Sequence, residues 1–236
     1  MNQIEKERVI RQELLSNASN EMKTPITSIQ GYAELLESGM IQDEATKADF
    51  ASRIKKEAVR MTGLINDILM ISRLEAKEAE VTFSDVRVSV LLEEIIDSLK
   101  PQAAEAQVFV HVDCQPLMIH ANLQQMRELL TNLISNAIKY NRPGGQVWIN
   151  IRATDGQMVI RVKDNGVGIP SDSLDRIFER FYRVDKGRSR KQGGTGLGLS
   201  IVKHIVNFYH GTIHVSSEPD MGSEFTVFLP MFPEKG

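Results

Sequence analysis

Val147-Trp148-Ile149-Asn150-Ile151-Arg152 alternates apolar and polar side chains with a period of two, the signature of a strand with one buried face. The same alternation returns over residues 158–163, 212–217 and 224–229. Between these stretches the period lengthens to that of a helix. Leu91, Leu92, Ile95, Ile96 and Leu99 form one such stripe, and Met126, Leu129, Leu130, Leu133 and Ala137 another. A sheet covered by helices, an α/β sandwich, is the expected architecture of this part of the chain.

Further toward the N-terminus the strand rhythm disappears. From about residue 4 to residue 38, Ile10, Leu14, Met22, Ile26, Ile29, Ala33 and Leu36 recur at mostly three- and four-residue steps. Gly39 and the polar residues 42–44 interrupt the pattern, and Phe50, Ile54, Ala58, Met61, Ile65, Ile68 and Ile71 resume it. Two antiparallel helices follow as the expectation. A lone hairpin leaves an apolar stripe uncovered, so two copies forming a four-helix bundle, and hence a homodimer, is the economical solution. The alternative is that the stripe packs onto the second half of the same chain. With the polar break at residues 75–80, the chain divides into a hairpin (1–78), a linker (79–86) and an α/β domain (87–236), α+β in overall class.

A length of 236 residues suits two such domains. The formal charge of -3, from 28 basic and 31 acidic residues, gives no whole-chain attraction to nucleic acid or an anionic membrane. The single Cys114 excludes an internal disulfide and a cysteine-rich zinc site, which fits a reducing compartment. No stretch approaches the roughly 18 consecutive apolar residues of a membrane span. Residues 1–11 are polar and charged, unlike a signal peptide. A cytoplasmic location is expected. Glu5, Lys6, Glu7 and Arg8 would also suit a helix continuing from an upstream, membrane-anchored sensor.

Four short segments of the α/β half carry chemistry. In Asn132-Leu133-Ile134-Ser135-Asn136-Ala137-Ile138-Lys139-Tyr140, residues four apart on a helix present two carboxamides to one side. Amide oxygens are hard ligands suited to Mg2+, and a lysine one turn on reaches toward a phosphate. In Asp164-Asn165-Gly166-Val167-Gly168-Ile169-Pro170, an aspartate at a strand end precedes glycines that let backbone approach a flat ligand, and its carboxylate can accept from an adenine amino group. Gly193-Gly194-Thr195-Gly196-Leu197-Gly198-Leu199 opens a helix carrying Ile201, Val202, Ile205 and Val206, where backbone N–H groups offer an anion site. It is neither a G-x-G-x-x-G dinucleotide fingerprint nor a P-loop. Gly222-Ser223-Glu224-Phe225-Thr226 precedes the last strand. Arg183, Lys186, Arg188, Arg190 and Lys191 lie between the second and third segments in a polar stretch that reads as a mobile lid.

In their order along the chain these segments resemble the N, G1, G2 and G3 boxes of the histidine kinases. Ile177-Phe178-Glu179-Arg180-Phe181-Tyr182-Arg183 resembles the intervening F box. The wider superfamily also holds gyrase-type topoisomerases, heat-shock chaperones and mismatch-repair ATPases. The hairpin discriminates among them, because Ser19-Asn20-Glu21-Met22-Lys23-Thr24-Pro25 resembles the H box, whose usual form begins His-Glu and ends Thr-Pro or Asn-Pro. Pro25 cannot donate an N–H and frees the carbonyl of Glu21, kinking the helix there.

The resemblance implies an ATP/ADP and Mg2+ site formed by Asn132, Asn136, Lys139, Tyr140, Asp164, Gly166, Gly168, Gly194, Thr195, Gly196, Leu197 and Gly198. Asn132 and Asn136 would face the metal, and Arg180 and Arg183 are candidates for the γ-phosphate. It also implies a response-regulator receiver domain as partner, phosphoryl transfer through a hairpin histidine assisted by Glu21, and a phosphatase activity in which Thr24 positions the attacking water. Position 20, however, is asparagine. A carboxamide nitrogen has its lone pair delocalised into the carbonyl and is no nucleophile, so autophosphorylation there is expected to be blocked. His111, His120, His204, His210 and His214 all lie outside the hairpin and cannot substitute. An engineered exchange and a naturally degenerate kinase both produce this pattern. In the second case, a non-enzymatic module that binds ATP and docks a regulator becomes the competing reading.

Overall fold

The computed structural model describes residues 3–75, 82–184 and 194–231. Helix α1 spans Gln3–Glu37 and helix α2 spans Glu44–Glu75. Asp43 caps α2, its carboxylate accepting from the Thr46 N–H at 2.9 Å and the Thr46 hydroxyl at 2.6 Å. Near the turn, the rings of Tyr32 and Phe50 lie 5.1 Å apart, and farther along Glu21 faces Arg60 at 3.5 Å. These pairings describe an antiparallel hairpin, with Pro25 inside α1.

The second half is a two-layer unit. Strand β1 (Ser84–Arg87) pairs antiparallel with β3 (Met118–Ala121) in a small separate sheet. The main sheet comprises β2 (Phe109–Cys114), β4 (Gln146–Thr154), β5 (Gln157–Asp164), β6 (Thr212–Glu218) and β7 (Gly222–Pro230), in the order β2-β4-β5-β7-β6. Among the described residues only the β2–β4 pairing is parallel. Helices α3 (Val88–Ala106), α4 (Leu123–Lys139) and α5 (Gly198–Phe208) cover one face.

The period-two residues do what their spacing demands. Val147, Ile149 and Ile151 are buried under the helices, while Trp148 stands on the outer face. Met126, Leu129, Leu130 and Leu133 bury the inner face of α4 against them. Burial of these side chains stabilises the layer by about 1.5–3 kcal/mol each. At the foot of α4, the buried Tyr209 hydroxyl accepts from the Asn122 N–H and donates to Gln125 Oε1, tying α5 to the start of α4.

Two differences from the sequence expectation concern the junction. Residues 84–86, expected as the end of the linker, form β1 together with Arg87. Of its four residues only Val86 is buried, too little alternation to read as a strand. The other is the hairpin stripe with its neighbours Leu64 and Leu69, whose residues meet two fates. Leu64 and Ile71 of α2 are buried in the same core as α5, as in the alternative considered above. Ile26, Ile65 and Leu69 remain 40%, 43% and 49% exposed. Among the described residues no helix is long and apolar enough to cross a membrane.

Candidate functional site

Asn122 caps α4, its side chain accepting from the Gln125 N–H at 3.0 Å. With one face of the helix committed to the sheet, residues 132, 135, 136 and 139 are turned the other way, into a cleft. Asn132 donates its Nδ2 to the Glu128 carbonyl at 2.9 Å. A β-carbon at Gly198 would stand 2.5 Å from Asn132 Oδ1, and one at Gly194 2.5 Å from Lys139 Nζ. The glycine loop therefore passes directly over both side chains, and a β-carbon at either position would make the side chain beneath it shift.

Strand β5 delivers Asp164 to the other end of the cleft. The residue is only 6% exposed, and its carboxylate accepts the N–H groups of Gly166, at 2.8 Å, and of Ser223 on the neighbouring β7. Burial pushes its pKa up, and these two donors oppose the shift. The following loop is braced by Arg142, which donates to the carbonyls of Gly166 and Asp220. The N–H of Val167 reaches the Tyr140 carbonyl at 3.1 Å.

Two adjoining cavities result. The larger, about 290 Å³, is mostly apolar and is lined by Asp164, Val167, Ile169, Ile177, Leu199 and Phe225 among others. The second, about 250 Å³, is polar and is lined by Asn132, Lys139, Gly194, Thr195, Gly196 and Gly198, together with Asp67 of the hairpin. Asn136, Tyr140, Ile177, Tyr182, Arg183 and Leu199 border both. An apolar cavity with one buried acceptor, adjoining a glycine-walled chamber that holds Lys139 and Arg183 at a helix start, suits a nucleoside polyphosphate.

Charges in the polar cavity are perturbed by burial. Lys139 is lowered to about 8, by burial first and then by the neighbouring Arg183 and Arg60. Asp67 is raised to about 6, again chiefly by burial and slightly by Glu128, while its hydrogen bond from Thr195 acts the other way.

Most residues expected at the site from sequence line one cavity or the other, and a few do not. Gly166 sits behind the cavities, holding Asp164 and packing on the Tyr140 carbonyl. Leu197 is fully buried in the core beneath the loop. Arg180 lines neither cavity, and its guanidinium lies 3.2 Å from His204 Nε2. Arg183, 6% exposed, borders both cavities and faces Glu21 of α1 at 3.7 Å. Asn20 and Thr24 are exposed on the hairpin. Lys186, Arg188, Arg190, Lys191 and Gly193 lie outside the described residues. Sequence reading missed Asp67 and Arg60, which stand in an unbroken helical rhythm where only the fold sets Asp67 in the polar cavity and brings the Arg60 charge near Lys139.

Residues 10–77 match the His Kinase A (phospho-acceptor) domain, and residues 121–233 match the histidine kinase-, DNA gyrase B- and HSP90-like ATPases. The chain is 37% identical over 230 residues to the sensor protein kinase WalK of Staphylococcus saprophyticus, which takes in 97% of this chain but 37% of that protein. It thus spans little more than a third of that relative's length. Among solved structures, full-length ShkA in complex with AMPPNP is 28% identical, with a TM-score of 0.67 over 95% of this chain and 47% of that one. Histidine kinase ThkA, in complex with the response regulator protein TrrA, shares the fold with a TM-score of 0.78 at 22% identity, over 99% of this chain and 66% of that one. With one domain family covering the hairpin and the other the sheet and its site, the chain belongs to the sensor histidine kinases, as the core that joins a phospho-acceptor hairpin to an ATPase domain.

Proposed function

We propose that the chain binds Mg-ATP in this cleft as the catalytic core of a protein histidine kinase whose acceptor position, residue 20, holds an asparagine. The observation that carries this reading is the buried Asp164 acceptor at the end of an apolar slot that opens into the polar cavity of Asn132, Asn136 and Lys139. Asp164 would accept from the adenine amino group, and Lys139 and the N–H groups at the start of α5 would hold phosphate oxygens. The carboxamide oxygens fit Mg2+: Asn132 spends its N–H on a backbone carbonyl and keeps Oδ1 toward the glycine loop, a hard neutral donor beside the phosphates. Bound there, the ion would neutralise charge on the phosphoryl group in transfer.

Of the two candidate arginines, position favours Arg183, which borders the polar cavity and faces the hairpin. Glu21, adjacent to position 20, points the same way, so the acceptor turn and the phosphate cavity address each other across the two domains. Asn20 supplies no nucleophilic nitrogen and blocks the kinase half-reaction. Thr24 keeps its exposed hydroxyl, so removal of a phosphoryl group from a receiver-domain aspartate persists. Loss of label from a phosphorylated receiver on addition of the ADP-loaded chain checks that activity. The competing module, which binds ATP and docks a regulator without chemistry, draws its support from Asn20 alone.

Calorimetric titration with Mg-ATP tests the nucleotide assignment. Asp164→Asn retains an acceptor oxygen for Gly166 and Ser223 but then presents an N–H to the adenine amino group. The affinity is expected to fall more than tenfold with the fold retained. Unchanged affinity in Asp164→Asn would refute the assignment.

A further inference from the structure

Asp67 belongs to the hairpin, yet its carboxylate stands inside the phosphate cavity, where Oδ2 accepts from the Thr195 hydroxyl at 2.7 Å. Thr195 in turn accepts the Leu197 N–H at 3.2 Å, so the contact grips the glycine loop at the approach to α5. Leu64 and Ile71 on the same face of α2 are buried in the common core, which fixes Asp67 at that spot while the two domains are docked. Asn132, Lys139 and Gly198 share only the polar cavity with Asp67, whereas Asp164 and the apolar slot lie at the other end. A nucleotide laid along the cleft with its base at Asp164 therefore extends its last phosphate toward Asp67.

We propose that Asp67 is a specificity-determining residue that makes the docked hairpin discriminate between nucleotides by phosphate number, accepting a diphosphate and disfavouring a triphosphate. This rests on the nucleotide reading of the cleft. The physical reason is charge: a carboxylate held in a partly buried cavity repels a terminal phosphate more strongly than one in bulk water would. The shorter chain of a diphosphate stops short of it. Triphosphate binding must then displace the carboxylate, breaking the Asp67–Thr195 bond and loosening α2 from the glycine loop. Its apparent affinity is lowered by the cost of leaving the docked state. The raised pKa of Asp67 agrees with a carboxylate placed where its charge is poorly solvated.

The test is titration of the full chain with Mg-ADP and with the Mg complex of a non-hydrolysable triphosphate analogue, before and after Asp67→Asn, with Asp67→Ala as a second variant and circular dichroism confirming the fold. Asparagine keeps the size and an acceptor for Thr195 but removes the charge. The expected result is triphosphate binding tighter by about tenfold in both variants, ADP changed less than twofold, and the difference shrinking with added salt. Equal changes for both nucleotides would overturn the proposal, since mere loosening of the hairpin does not read phosphate number. Weaker triphosphate binding would overturn it in the other direction, with Asp67 helping to hold the cation. If neither nucleotide binds to any version, the nucleotide reading itself fails.

Discussion

Lys139 illustrates how burial sets the chemistry of single side chains here. Surrounded by Arg183 and Arg60 and largely removed from water, its ammonium group is lowered to about 8. A bound phosphate reverses the balance and draws the pKa back toward its ordinary value of about 10.5. The sign follows from that direction: phosphate binding is fully favoured below about pH 8 and weakens as pH rises through the free-state value. At pH 8.5 nucleotide binding should take up a fraction of a proton, measured by calorimetry in buffers of different ionisation enthalpy. Asp67, raised only to about 6, is ionised there before binding. Lys139→Arg should abolish the uptake, and an unchanged uptake would assign it to another group. Lys139 and Asp164, which line the two cavities, each lie within a motif of the sequence. Asp67 does not: a carboxylate between Asn66 and Ile68 on a helix looks like any solvated position until the fold sets it 2.7 Å from Thr195.

At the scale of elements, legibility followed regularity. β4 and β7 each bury alternate residues against the helices, and α4 carries its stripe through the whole helix, so all three were readable. β2 escaped because it is an edge strand whose exposure does not alternate: Phe109, His111, Val112 and Asp113 are all exposed. The hairpin was readable as two helices, but its single rhythm serves two partners. One set of positions, Leu64 and Ile71, is buried in the core that α5 shares, while Ile65 and Leu69 stay largely outside it. We propose that this outer set closes a homodimeric four-helix bundle, as its half-exposed large side chains favour. Sedimentation equilibrium should return a dimer for the chain, and Leu69→Glu should weaken it by about tenfold or more, because an unpaired charge would be buried at the contact. A monomer at all concentrations would remove the bundle from the account.

For the whole molecule, the decisive relation is between domains. The cleft between α4 and the glycine loop faces the hairpin, and Glu21, Arg60, Asp67, Arg183 and Thr195 lie along the boundary from both sides. No motif encodes that relation, since residues 128 positions apart meet only when the domains dock. What the motifs did disclose was an ordered set of segments whose residues line the two cavities, behind a hairpin that carries asparagine at position 20. We propose that the carboxamide at position 20, in place of an imidazole, is what separates the chain from a working kinase. Incubation with γ-labelled ATP and Mg2+, comparing the chain, Asn20→His, and Asn20→His combined with Asp164→Asn, tests it most directly. Label on Asn20→His alone is the result this account requires. No label on Asn20→His, in a sample that binds ATP, would contradict it and leave a nucleotide-binding docking module in its place.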